Sequence, residues 1–279
     1  MRDIGANLAS KQFQFDLCSV ITRAKDAGVQ FIDVTGTDLA SSERAVSLAI
    51  EHAQYLGATA GIHPHGAKDC SPASLTRLRH LLSQPQTLMC GEMGLDYARN
   101  FSTPEQQRSA FEAQLDLAQE FDKPLFLHCR EAFDEFVAIM DKRPHFWRKS
   151  IVHCFTGGLD QARALSERGA FIGLTGWITD KRRNADVVQA IKFYPRDKIL
   201  IETDSPYLMP LNKPKSQTRE RNEPAHVAWV ARALASLLGC DAEEAMNVSY
   251  KNAEDLIGRP PALDQLLAHK PKGGAPSSH

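Results

Sequence analysis

The chain predicts a (β/α)8 barrel, and three observations carry that prediction. Short apolar runs rich in β-branched residues alternate with longer amphipathic segments, the pattern of a parallel sheet with crossover helices. Eight such runs can be counted, ending near Leu8, Val34, Ile62, Met89, Leu127, Val152, Leu174 and Ile201. Groups able to bind a metal also stand where these runs end, at strand-plus-helix intervals. His63 lies 29 residues before Glu92, Glu92 36 before His128, His128 25 before His153, and His153 51 before Asp204. A barrel of about 250 residues spends about 31 per unit, and its chemistry sits where strands pass into loops. The spacing therefore predicts that these five groups converge at one mouth, as in a metal-dependent hydrolase.

The bulk composition fits one such barrel. The chain has 279 residues, of which 43% are apolar, enough for a large core. Its net charge of −1 excludes a global basic footprint, so a polyanion would have to be held by local charge or by metal. Cys18, Cys70, Cys90, Cys129, Cys154 and Cys240 form no Cys-x-x-Cys pair, which argues against a zinc knuckle or a thioredoxin-like site. Free thiols within apolar runs suit a reducing compartment. The opening Met1-Arg2-Asp3-Ile4-Gly5 lacks a signal-peptide run, and no window approaches a spanning helix. A soluble, cytoplasmic monomer with no membrane partner is the expectation.

The elements follow in order. The first two strands rest partly on the count of eight; those after His63 are marked more firmly. After Phe101-Ser102, Thr103 can cap a helix, Pro104 suits its first position and Gln106 completes a capping box. Phe111, Leu115 and Ala118 recur at helical spacing, and Pro124 ends the element before Leu125-Phe126-Leu127. A helix is expected from Pro224 to Leu238, then two shorter helical stretches over Ala242–Val248 and Asn252–Ile257. Residues 1–258 read as a single domain. Residues 259–279, dominated by Pro, Lys and Gly, read as a largely disordered tail.

Glu92, before Gly94, can ligate one ion, bridge two, or simply pair with a neighbouring cation. His128 and His153 share one context, a β run, the imidazole, then a cysteine, and Glu92 ends the run before them. A His2Glu set with open positions is what a catalytic ion needs. Asp204 can ligate, take a proton from water, or cap a helix. His63 and His65 flank Pro64 and either orient a phosphate or leaving group or pack. Two loops speak to the substrate. Trp177 to Arg183 follows the seventh strand and includes Arg182; Tyr207, Lys213, Lys215, Arg219 and Arg221 follow the eighth. Positive charge beside aromatic faces tracks a single strand while its bases stack; each loop alone is more often a solvated surface, and only the placement beside a metal site favours the binding role.

The strings GIHPH, GEMGLDY, LHCRE, VHCFTG, GLTGWITD, LIETDSPYL and RNEP, in order from Asp3 to about Gly258, resemble the TatD family of metal-dependent deoxyribonucleases. The resemblance implies an amidohydrolase-like barrel and magnesium-dependent 3′–5′ exonuclease action on single-stranded DNA and RNA, with a place in DNA repair. It implies Glu92, His128 and His153 as metal ligands and Asp204 as the acidic catalytic residue; His63, His65, Trp177, Arg182, Arg183 and Tyr207 are expected at the substrate from their place at the predicted mouth. Manganese or zinc would suit the same ligands. Where most of the family has a His-x-His pair on the first strand, this chain has Gly5 and Asn7. One firmly held ion is expected, and any second ion would arrive with substrate phosphate. A deacylase on the same barrel and a non-catalytic nucleic-acid-binding scaffold are the alternatives.

Overall fold

A computed structural model describes residues 1–214 and 221–260. Eight parallel strands stand side by side in chain order: β1 Arg2–Ala6, β2 Phe31–Val34, β3 Leu56–Ala60, β4 Thr87–Asp96, β5 Leu125–Arg130, β6 Ser150–Val152, β7 Phe171–Leu174 and β8 Ile199–Ile201. The ring closes just beyond β8, where Asn7 N–H donates to the Ser205 carbonyl at 2.7 Å and Asp204 N–H to that of Gly5 at 2.8 Å. Helices α1 Leu17–Asp26, α2 Leu39–Glu51, α3 Pro72–Leu82, α4 Pro104–Ala118, α5 Phe133–Met140, α6 Leu159–Arg168, α7 Ala185–Phe193, α8 Val227–Leu238 and α9 Ala242–Ile257, with several short 3-10 helices, complete the described elements. The predicted barrel is the observed one. None of these helices is long and apolar enough to cross a membrane.

Four predicted strand ends, Val34, Val152, Leu174 and Ile201, are the observed ones. β4 and β5 run further than expected, to Asp96 and Arg130, so Glu92 and His128 lie on strands rather than after them. Helix α4 starts as its sequence dictates: the Thr103 hydroxyl accepts from Gln106 N–H, and Gln106 answers on the Thr103 N–H. The two short helices expected after Ala242 are instead one, α9, starting at an Asp241 cap and continuous to Ile257. The intervening Ser249 does not break it, because its buried hydroxyl accepts the Ile201 N–H at 3.0 Å.

Apolar side chains between strands and helices form the main core, and a second cluster fills the barrel's lower interior, including Ile4, Phe31, Phe126 and Leu200. Ala253 and Ile257 of α9 close that cluster from below. Buried there, Arg2 forks onto Asp33 at 2.7 and 2.9 Å and reaches Glu254 and the Gly258 carbonyl. Arg259, expected to begin the tail, pairs with Glu254 and lies over Phe31, so the ordered chain extends beyond 258. Residues 261–279 of the expected tail, with Lys215 and Arg219, lie outside the described residues.

Candidate metal centre and cleft

Glu92 enters the barrel mouth through an irregularity in β4. Against β5, Cys90 pairs with Leu125 and Met93 with Leu127, so β4 carries one extra residue in between. Such bulges re-aim side chains. Gly94, at φ 144°, allows a close approach, but to backbone rather than ligand: a Cβ there would lie 1.9 Å from the His128 carbonyl oxygen.

The result is a carboxylate ringed by imidazoles. Glu92 Oε1 lies 2.7 Å from His153 Nε2, 2.9 Å from His128 Nδ1 and 3.2 Å from His63 Nε2. Glu92, His128 and His153 thus converge, as their spacing predicts. His63 joins them more closely than expected for a substrate contact, and the ligand atoms of His63, Glu92 and His128 lie within 4.8 Å of one another. The role of His63 is limited by its tautomer. Its Nδ1 accepts the His65 N–H at 3.1 Å, so the ring proton sits on Nε2 and donates to Glu92. A nitrogen carrying that proton has no lone pair for a metal.

Two further carboxylates stand behind the imidazoles. Asp96 Oδ2 lies 2.8 Å from His65 Nε2 and 3.4 Å from His128 Nε2, and Glu202 Oε2 lies 3.4 Å from His153 Nδ1. The 3.4 Å pairs are too loose to satisfy their atoms, leaving His128 Nε2, His153 Nδ1 and Glu202 Oε2 buried without a hydrogen bond. Metal-bound imidazoles characteristically turn their second nitrogen to such a carboxylate. The donor set therefore fits a divalent ion.

The electrostatics agree. Burial opposes charge on Glu92, yet His153 and His63 hold its carboxyl well below the usual range. Burial likewise works against charge on His153 and His128, but Glu92 and Glu202 raise the first well above its ordinary value, and Asp96 and Glu92 raise the second. The cluster draws in positive charge, which a divalent cation supplies at one point.

Asp204 sits at the cleft with φ 51° and accepts a hydrogen bond from the Asn7 amide at 2.9 Å. It caps no described helix. Burial is the main force raising its carboxyl, with Glu92 and Glu202 adding and His153 opposing, to about 7. The first-strand departure now has a physical reading. A Cβ on Gly5 would lie 2.3 Å from Glu202 Oε2, so the carboxylate fills the space of an absent side chain, while Asn7 steadies Asp204. Burial pushes the Cys129 and Cys154 thiols up to about 12, removing them as nucleophiles near neutral pH.

These groups line a cleft of about 640 Å³, with His65, Arg99, Arg130, Trp177 and Tyr207 at its walls. Tyr207 is 56% exposed, a face open to a base. The Trp177 face is covered by the Arg183 guanidinium at 3.7 Å, while its indole N–H, buried, has no hydrogen-bond partner. Arg182 and Arg183 both pair with Asp180, at 2.7 and 3.0 Å, and neither lines the cleft. Lys213 lies buried 2.6 Å from His226, and Arg221 pairs with Asp16. The expected basic rim is thus largely tied into the protein. Asp96, Glu202, Arg99 and Arg130 were not singled out from the sequence. The signal for the two acids was alternation: Glu92 and Asp96 share one strand face, and Glu202 precedes Asp204 by two.

Fold and site together define a metal-dependent hydrolase of the (β/α)8 type. The family model described as TatD related DNase matches residues 2–258, and the chain belongs to that family. It is 43% identical over 257 residues to the "3'-5' ssDNA/RNA exonuclease TatD" of Erwinia tasmaniensis, covering 92% of this chain and 99% of that protein. The protein of that name from Salmonella typhimurium is 41% identical over 257 residues, 92% of this chain and 98% of its own. Among solved structures, the Escherichia coli TatD homologue YJJV superposes with a TM-score of 0.84 at 30% identity, covering 93% of this chain and 98% of its own.

Proposed function

We propose that this protein is a metal-dependent 3′–5′ exonuclease acting on single-stranded DNA and RNA. One observation carries the reading: Glu92 Oε1 meets His128 Nδ1 and His153 Nε2 within 2.9 Å, in the cleft that also presents Asp204. Glu92, His128 and His153 are the ligands, and magnesium, the ion implied by the family, is the proposed cation. When bound, it supplies Lewis acidity toward a phosphoryl oxygen.

The chain's own groups do the rest. Asp204, lining the same cleft as the ligands, is placed to take a proton from the attacking water. The Asn7 amide fixes one Asp204 oxygen, leaving the other for that water. His63 donates its Nε2 proton to Glu92 and holds the carboxylate in place. Tyr207 offers an exposed stacking face.

The test is digestion of 3′- and 5′-end-labelled single strands with magnesium, manganese or zinc, reading product lengths. Stepwise shortening from the 3′ end that stops in EDTA is expected. Release of an amino acid from aminoacyl-tRNA without shortening of any strand would replace this reading with a deacylase.

A further inference from the structure

We propose that Arg99 and Arg130 grip the phosphate next to the scissile one, making them the residues that bind the strand. The proposal rests on the nuclease reading and adds the groups that hold the polynucleotide. Three carboxylates, Glu92, Asp96 and Asp204, line this cleft with the buried Glu202 behind His153, so a polyanion must be drawn in by cations at its walls. The arginines expected to do so are committed elsewhere: Arg182 and Arg183 to Asp180, Arg221 to Asp16. Arg99 and Arg130 are exposed, line the cleft, and have neither an ion pair nor a side-chain hydrogen bond among the described residues.

Their placement follows from the metal site itself. Arg130 ends β5 two residues after His128, about 6.6 Å further along an extended strand. Arg99 sits in a turn that Asp96 closes, its Oδ1 accepting the Ala98 and Arg99 N–H groups at 3.0 Å each. The other Asp96 oxygen faces His65 and His128, so one carboxylate both backs a metal-site imidazole and sets the turn that presents Arg99. β4 and β5 pair Asp96 with Arg130, and Tyr97 N–H donates to the Arg130 carbonyl at 2.9 Å, fixing the two segments side by side. A guanidinium fork matches two phosphate oxygens, which a point-charge ammonium does not.

The experiment uses the full chain and a 5′-fluorescein dT12 oligonucleotide. Binding is read by anisotropy in EDTA across a salt series, and steady-state cleavage separately with magnesium. Arg99→Ala and Arg130→Ala should each weaken binding about tenfold and flatten the log–log salt slope by about 0.7. In cleavage the loss should fall on KM rather than kcat. Arg130→Lys should recover the salt slope with only part of the affinity, an outcome that a merely structural arginine would not give. Unchanged affinity and slope in both alanine variants would overturn the proposal, whatever the activity. Failure of the wild-type protein to shorten any strand would instead remove the nuclease reading, and the binding series would still decide the two arginines.

Discussion

Asp204→Asn should remove activity and, in the ion-free protein, raise stability, with the gain growing as pH rises. Asparagine keeps the shape, tolerates the left-handed backbone at φ 51° and still accepts the Asn7 hydrogen bond. What it removes is a carboxylate that burial makes costly. The folded carboxyl titrates at about 7, against an ordinary 3.8. The folded state therefore holds its proton over a range in which the unfolded state has lost it, and stability falls as pH rises from about 4 to 7. Above 7 the penalty is complete. A difference of about three units corresponds to about 4 kcal/mol, and local relaxation brings the expected gain to about 2–4 kcal/mol. For a chain of this size that is roughly 4–8 °C in Tm. Calorimetry of both proteins in EDTA should show coincident transitions near pH 4 and a higher one for the variant at pH 8. Single-turnover cleavage with magnesium should fall about 10²–10⁴-fold, the usual worth of a general base. A gain that does not vary with pH, or a variant less stable at pH 8, would refute the burial argument. Cleavage within tenfold of wild type would refute the proton-transfer role.

Three other substitutions probe a proposed ligand, the strand packing behind it and the buried ion pair. His128→Ala should abolish magnesium-dependent cleavage and weaken divalent-ion binding by calorimetric titration while leaving the circular dichroism spectrum intact; unaltered ion affinity would exclude it as a ligand. Gly94→Ala places a Cβ 1.9 Å from the His128 carbonyl oxygen at a positive φ, so β5 must shift. Soluble but inactive protein with a lowered Tm is expected, and a wild-type Tm with full activity would contradict it. Arg2→Met strands the fully buried Asp33, whose carboxyl burial already raises despite the guanidinium. A loss of about 3–5 kcal/mol in urea unfolding is expected, with recovery in the Arg2→Met, Asp33→Leu double variant; a loss below 1 kcal/mol would show that the pair is not needed.

Much of the architecture was legible because its signals are local. Runs such as Phe126-Leu127 and Ile151-Val152 declare strands by residue type, and Thr103-Pro104-x-Gln106 states its own helix start. The continuity of α9 was not legible, since Ser249 is held by a strand 48 residues earlier. The involvement of His63 was legible, but its tautomer depends on the loop geometry that aims the His65 N–H at Nδ1. The neutralisation of Arg182 and Arg183 could have been read from Asp180 just before them; the freedom of Arg99 and Arg130 could not.

Residue order alone determined the eightfold alternation, the positions that could hold an ion, and the family. These depend on side-chain type and on intervals along one strand or helix, which any folded form of the chain must respect. Only the closed barrel decided that the Glu202 carboxylate occupies the space beside Gly5, that Asn7 meets Asp204 across 197 residues, and that Asp96 meets both the His128 imidazole and the turn carrying Arg99 at the cleft wall. Charge balance in a buried cleft is set by neighbours in space. Those neighbours exist only once the first strand has met the last.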